Sequence, residues 1–533
     1  MHLPQHWLRD TLGAAYVVAS TALGFVGLGL LQPYMANDYL WAAFNDSMPV
    51  VTGLLNLELT VPTDDFDLFG ATYLATDPSL GVQAAYGRKI MLQQWTQLDV
   101  PITALRTMNA ADVGSLVTIY CWADLERRWE LAFTSQRQAR CVETMSTNAA
   151  VYLEAVLRNV DLPGWLAMNR ASFMAHIGQP IVDSGAAGEA WLSTLLQHDV
   201  LPVEAEATVW MADGLVKFQL QFFNWYRYGV TETLAIENAI GMTWAYAINT
   251  VSVVAYFNPS CLLLNDLLLP DLEAIGADQS LVRNMPTSSN TTASLVEIFI
   301  MGFDLSPLNH LLHDSIGSMG NIDAWWVSPP SQLMSTVRSF RSLVLHHITN
   351  DAKFAAAVDA IAAVAIQVTP NQWADPSLRF YGGNFLCSDA PLLPTVQESF
   401  GFYSICGAIS PLSVQWHPWN ALFAFAMLRP TNDSICDLGA SPVQVQICRA
   451  IFTATSTTFQ LLPPMEMTPL TAPVLQQIGY SQVVSNQSNL ILQMQQLLDP
   501  TYAFFGWMSL YDWAMNQREV IAIVGDVSTI TVM

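Results

Sequence analysis

From Leu12 to Leu31, LGAAYVVASTALGFVGLGLL, the chain is apolar apart from the hydroxyls of Tyr16, Ser20 and Thr21, and carries no charged residue. At a helical rise of about 1.5 Å per residue, twenty residues span roughly 30 Å, the hydrocarbon thickness of a bilayer. The pattern predicts a transmembrane anchor, with residues 1–45 forming a short cytoplasmic flank, the span itself and a helix leaving the membrane. A cleaved signal peptide is the alternative, but the run exceeds the usual h-region and Tyr34-Met35-Ala36 is a poor small-x-small site. Orientation rests on Arg9 and the amino terminus, which favour a cytoplasmic N-terminus.

Beyond the anchor the pattern changes period. Leu116–Trp122 alternates and is β-branched, and Trp129–Thr134 can pair back against it as a hairpin. Asn148–Val160 follows a helical period, with Ser146 or Thr147 as its cap and Glu154 and Arg158 one turn apart. Residues 163–200 read as helices. Leu215–Phe222, LVKFQLQF, alternates most cleanly, with VTETLAI after Gly229 as its partner strand. Residues 240–269 are nearly all apolar, which predicts a buried core or a second span. Pro286–Thr292, polar and Pro-containing, marks a boundary between a first lobe, 46–285, and a second, 286–533. In the second lobe 294–316 and 331–368 read as helix-rich, with Phe354–Ile366 as one good helix. Residues 370–450 read as loops stapled by Cys pairs, and the Thr- and Pro-rich 453–474 as surface chain. The end, Glu519–Met533, reads strand, Gly-Asp turn, strand. Stopping inside an apolar strand, it predicts a chain that continues. The fold class is α+β: an N-terminal transmembrane helix followed by a mixed helix and antiparallel-sheet ectodomain.

Composition sharpens this picture. Hydrophobic residues make up 52% and charged residues 12% of 533, more apolar than one anchor explains. The body therefore has a large core, a buried interface or lipid contact. Twenty Lys and Arg against 44 Asp and Glu give a formal charge of −24, which disfavours a nucleic-acid partner and a charge-driven dock on anionic lipid. The lipid bilayer, met through the N-terminal helix, and an extracellular ligand or protein remain as expected partners.

Seven cysteines include no CxxC pair. Their spacing suggests local bridges Cys121–Cys141, Cys387–Cys406 and Cys436–Cys448, with Cys261 a buried thiol. Four glycosylation sequons stand at Asn45, Asn290, Asn432 and Asn486. Anchor, paired cysteines and sequons agree on the secretory lumen and a plasma-membrane address.

Candidate chemistry is sparse. There is no GxSxG, HExxH or P-loop, and nothing names a cofactor. Four cations, Arg127, Arg128, Arg137 and Arg140, fall within fourteen residues; they form an anion site or pair with Asp124, Glu126, Glu130 and Glu143. His310 and His313, one turn apart, have chelating spacing, and His346 and His347 are candidates to complete such a site. Trp325-Trp326, and Trp416 and Trp419 around His417, are candidate sugar platforms or core. The block CWADLERRWELAFTSQRQARC with STNAAVYLEAVLRNVDLPGW, the strand VKFQLQFFNWYRYG and the ending EVIAIVGDVSTITV resemble segments of large uncharacterised oomycete membrane proteins. The resemblance implies an ectodomain between an N-terminal span and later spans, and brings no activity or catalytic residue. The leading functional expectation is a membrane-anchored binding, sensing or structural module. The rivals are a hydrolase acting on polysaccharide and the N-terminal part of a multi-span protein.

Overall fold

The computed structural model describes most of residues 94–220, 280–285, 307–381, 392–398 and 411–533, the strands 230–237 and 243–251, and single residues between 13 and 23. Most of the expected anchor therefore lies outside the described residues. Gly13, Tyr16, Val17, Ala19, Ser20, Thr21 and Leu23, which are described, are helical and exposed. Among the described residues no helix is long and apolar enough to cross a membrane.

The first body is helical. Helix α1 (Asp99–Thr107) buries Val100, Pro101, Ile102, Ala104 and Leu105. Helix α2 (Ser135–Arg140) starts where the Thr134 side chain accepts from the Arg137 N–H, and continues into a π-helical turn, Cys141–Met145. The expected cap at Ser146 or Thr147 is displaced: Asn148 accepts from Ala150 N and opens a single turn, Ala149–Val151, before α3 (Leu153–Leu157). Asn148 also bonds the backbone of Gln219 at both its N–H and its carbonyl, 2.8 and 2.9 Å, an amide pairing open to Asn but not to Ser or Thr. Helices α4 (Leu162–Phe173), α5 (Gln179–Asp183), α6 (Ala186–Leu196) and α7 (Val203–Ala212) follow. Aspartate caps α4, where Asp161 accepts from Gly164 N.

Of the expected hairpin, 116–119 lie outside the described residues; among the described ones Trp122 bridges Glu130, tied by Ala123 N to Trp129 O and Leu131 N to Cys121 O, both 2.9 Å. Of the alternating stretch 215–222, residues 221 and 222 lie outside the described residues, while Lys217 bridges Asn148 and Phe218 bridges Trp95. Its expected partner is instead β1 (Val230–Glu237), which pairs with β2 (Thr243–Val251) in a bulged antiparallel ribbon. The described part of the apolar 240–269 run, Thr243–Val251, is thus a strand.

After α8 (Pro307–Ser315) and β3 (Asp323–Trp326) come α9 (Ser331–Asn350) and α10 (Ala352–Asp359). The expected Phe354–Ile366 helix stops at Asp359, because β4 (Val364–Gln367) takes its end into a ladder with β7 (Ser413–Trp416). Strands β5 (Arg379–Tyr381) and β6 (Leu392–Leu393) precede β7. Helix α11 (Pro418–Leu428) and the first half of α12 (Pro442–Phe459) fall in the 370–450 stretch expected as loop, and α12 runs on into the 453–474 stretch expected as surface chain. Threonines do not break α12, because Thr453, Thr455, Thr457 and Thr458 each donate to the carbonyl four residues back. Then come α13 (Pro473–Gln477), β8 (Ile478–Asn486), β9 (Asn489–Gln496) and α14 (Ala503–Ala514), whose twelve residues are all buried. The chain ends in the expected hairpin, β10 (Ile521–Val524) and β11 (Thr529–Val532).

One mixed sheet, β3-β10-β11-β8-β5-β6 with β9 on the other edge of β8, divides two cores. Strand β8 shows how: Val483 faces the first core, while Ile478, Tyr480 and Val484 face the second. The first core gathers α1–α7 and also Ile521, Ile523 and Val532 of the terminal hairpin. The second packs α9, α11 and α12 around α14. Gly506 lets α14 reach the sheet, since a Cβ there meets the Leu497 carbonyl oxygen at 1.9 Å. The described fold is mixed α+β.

Candidate functional site

The two cysteine pairs that can be placed are bridged: Cys121–Cys141, with Cα atoms 5.8 Å apart, and Cys436–Cys448, at 5.5 Å. One bridge lies in each core. Cys261, Cys387 and Cys406 lie outside the described residues, as do Asn45 and Asn290. Asn432 and Asn486 are exposed, the latter at the tip of the β8–β9 hairpin.

The four arginines divide. Arg128 pairs locally, with Asp124 at 2.7 Å and Glu126 at 3.3 Å. Arg127 adopts a left-handed backbone, φ 64°, and donates to Tyr152 Oη (2.7 Å) and the Ser146 carbonyl (2.9 Å). Burial pushes the Tyr152 hydroxyl up to about 12, although the Arg127 charge pulls the other way.

Arg137 and Arg140 reach across the molecule. Arg137 is fully buried and donates to Asp323 Oδ1 through Nε (3.3 Å) and Nη2 (3.1 Å), and to the Tyr120 carbonyl (3.2 Å). Arg140 takes Asp323 Oδ2 (3.3 Å), the Asn321 carbonyl (2.6 Å) and Asp526, which also accepts from Thr134 Oγ1 (2.8 Å). Asp323 begins β3 and Asp526 lies in the β10–β11 turn. The pair therefore clamps α2 onto the sheet. Burial lowers the Arg137 pKa, with Asp323 opposing.

The histidine spacing does not assemble a centre: among the described residues no group of three potential metal ligands gathers. His313 meets Asp314, and the His346 ring contacts Asn350. Of the tryptophans, Trp326 and Trp416 are buried, and Trp416 Nε1 donates to Thr455. Trp419 is covered by the Arg341 guanidinium, 4.8 Å from its ring centre.

A polar node unmarked by any motif sits in the second core. Asp512 of α14, buried, accepts from His417 Nε2 (2.9 Å) and Asn420 Nδ2 (3.1 Å), with Arg518 Nε at 3.9 Å. His417 Nδ1 meanwhile accepts from Asn420 N as the N-cap of α11. Accepting there places the proton on Nε2, so both ring nitrogens are committed. This is a clamp between α11 and α14 rather than a free base. The signal for it was one carboxylate inside the apolar run AFFGWMSLYDWA.

A cleft of about 660 Å³ lies in the first body between α3, α4 and the chain after α6. Leu157, Leu162, Leu166 and Leu196 line it, with Arg158, Arg170 and His198 as its polar members. Arg158 forks onto buried Glu206, Nε–Oε1 3.0 Å and Nη2–Oε2 2.9 Å, and Asn159 and Trp210 donate to the same carboxylate at 3.1 Å. Burial raises the Glu206 pKa, but the hydrogen bond and charge of Arg158, with Asn159, outweigh it and hold the carboxyl below its usual range. His198 is pushed down by burial and by Arg158, so it is neutral near pH 7. Its Nε2 is buried without a hydrogen-bond partner. Comparison of the chain with protein-family models, curated proteins and solved structures finds no match to any of them.

Proposed function

We propose that this chain is a membrane-anchored extracellular module that binds or senses a ligand, held to the bilayer by the helix of residues 12–31. The bridged pairs Cys121–Cys141 and Cys436–Cys448, one in each core, carry the reading, because disulfides persist in oxidising compartments. Exposed Asn432 and Asn486 accord with it. So does the segment near the start, where Tyr16, Val17 and Leu23 point outward and Ser20 Oγ donates to the Val17 carbonyl at 3.0 Å. Apolar side chains outside and a hydroxyl satisfied within its own helix suit hydrocarbon. Binding rather than catalysis is favoured by the preformed cleft and by a His417–Asp512 pair with no nitrogen to spare.

The test is topological. Expressed in a eukaryotic secretory system, the chain should shift on endoglycosidase treatment, and Asn432→Gln and Asn486→Gln should each remove one step. Replacing residues 1–32 with a cleavable signal should release the body into the medium. An unglycosylated protein with all cysteines reduced, sensitive to protease on the cytosolic side, overturns the reading.

A further inference from the structure

The cleft in the first body offers one positive charge not already answered. Arg158 is neutralised by Glu206, and Arg106, nearby, donates to Asn159 Oδ1 at 2.9 and 3.1 Å. Arg170, in the last turn of α4, lines the same cleft, and among the described residues its guanidinium meets no carboxylate. His198 also lines the cleft, with its Nε2 buried. Apolar surface continues out of the mouth: Met168 is 56% and Val200 61% exposed. A protein of net charge −24 thus has a greasy concavity with a single free cation at its wall. A single cation suits a monoanion. A phosphate dianion would leave charge unmet, with Asp161 and Asp199 close by in the chain.

We propose that this cleft binds a small aliphatic carboxylate, its alkyl chain along Leu162, Leu166 and Leu196 and its carboxylate on Arg170. The volume lies within the about 300–1,000 Å³ typical of small-ligand pockets. Arginine presents a donor fork matched to a carboxylate. This inference rests on the binding-module reading but not on the anchor.

The experiment uses the full chain in lipid nanodiscs and a diazirine-bearing octanoate, with cross-linked peptides mapped by mass spectrometry. Labelling should fall on 157–170 and 195–201. Free carboxylates should compete, with affinity rising about fourfold per added CH₂ from butanoate to octanoate. Octanol, lacking the charge, should compete about tenfold more weakly. Arg170→Gln, at an exposed position, should weaken labelling about tenfold. Val200→Trp should block the mouth without touching the core. Labelling spread over the apolar surface, equal competition by octanol, or full labelling of the Arg170→Gln protein overturns the proposal. Correct labelling of a chain that proves unglycosylated removes the cellular address alone; a glycosylated, anchored chain that labels elsewhere removes the cleft alone.

Discussion

Asp323→Ala is the sharpest test of how the two bodies hold together. Asp323 is fully buried at the start of β3, where it receives Arg137 on one oxygen and Arg140 on the other. Truncation removes both acceptors. Arg140, partly exposed, keeps Asp526 and the Asn321 carbonyl and loses little. Arg137, with no exposed side-chain surface, keeps the Tyr120 carbonyl but has its charge stranded. Breaking a buried pair this way costs about 3–5 kcal/mol. The retained carbonyl bond places the expectation near the lower end, about 3 kcal/mol. Urea unfolding followed by tryptophan fluorescence measures the loss, and α2 and the β10–β11 turn should lose amide-exchange protection first. The double variant Arg137→Met/Asp323→Leu should recover more than half of the loss, because it removes the charge together with its partner. A single-variant loss under about 1 kcal/mol, or a double variant costing the sum of its parts, refutes the claim that this pair clamps helix to sheet.

Three further outcomes are expected. Cys436→Ala/Cys448→Ala opens a 12-residue loop in the second core and should cost about 3 kcal/mol in chemical denaturation, with little change in the exchange protection of α1–α7. Thr455→Val removes the acceptor of Trp416 Nε1 and leaves a buried N–H unsatisfied. It should lower stability by about 1–3 kcal/mol while keeping the circular dichroism of α12, since valine fits there sterically. Glu206 has a depressed folded pKa, so near its ordinary value of about 4.3 the unfolded chain binds the proton that the folded chain does not. Its stabilisation is therefore present above that range and lost as pH falls through the folded value. Glu206→Gln should flatten the acid limb of the stability curve, and an unchanged limb would show that the Arg158 fork contributes nothing.

Local signals were legible where one short segment decides the outcome. The terminal hairpin follows from two β-branched runs around Gly525-Asp526, and both placed disulfides from cysteine spacing. What could not be read is what distant residues decide. Nothing local says that Arg137 and Arg140 find Asp323 and Asp526 instead of the acids beside them, because their partners lie more than 180 residues away. Phe354–Ile366 has helical propensity throughout, yet its last residues are more useful opposite Ser413–Trp416, a tertiary override of propensity. Asn148 beat Ser146 as a cap because Gln219 offers it a second role. The cleft had no motif at all: its cation, Arg170, is one residue in an unremarkable helix.

The apolar composition has a structural source in where the sheet stands. A sheet with one wet face needs alternating residues, whereas one separating two cores needs apolar or satisfied residues on both faces. β8 is the extreme case, buried from Ile478 to Val484, and so its sequence IGYSQVV neither alternates nor reads as a plain hydrophobic run. Two of its polar members find partners, although Gln482 Oε1 does not: Gln482 donates to the Gln397 carbonyl at 2.6 Å, and Tyr480 meets Ser509 at 3.0 Å. Helix α14 repeats the logic, buried on every side with Asp512 answered by His417, Asn420 and Arg518. Such a body answers its buried carboxylates with donors of its own. The carboxylates at Asp323 and Asp512 are met by protein donors, whereas Arg170 on the wall of the cleft meets no carboxylate among the described residues. Apolar walls with one convergent charged group are the lining expected of a small-ligand site.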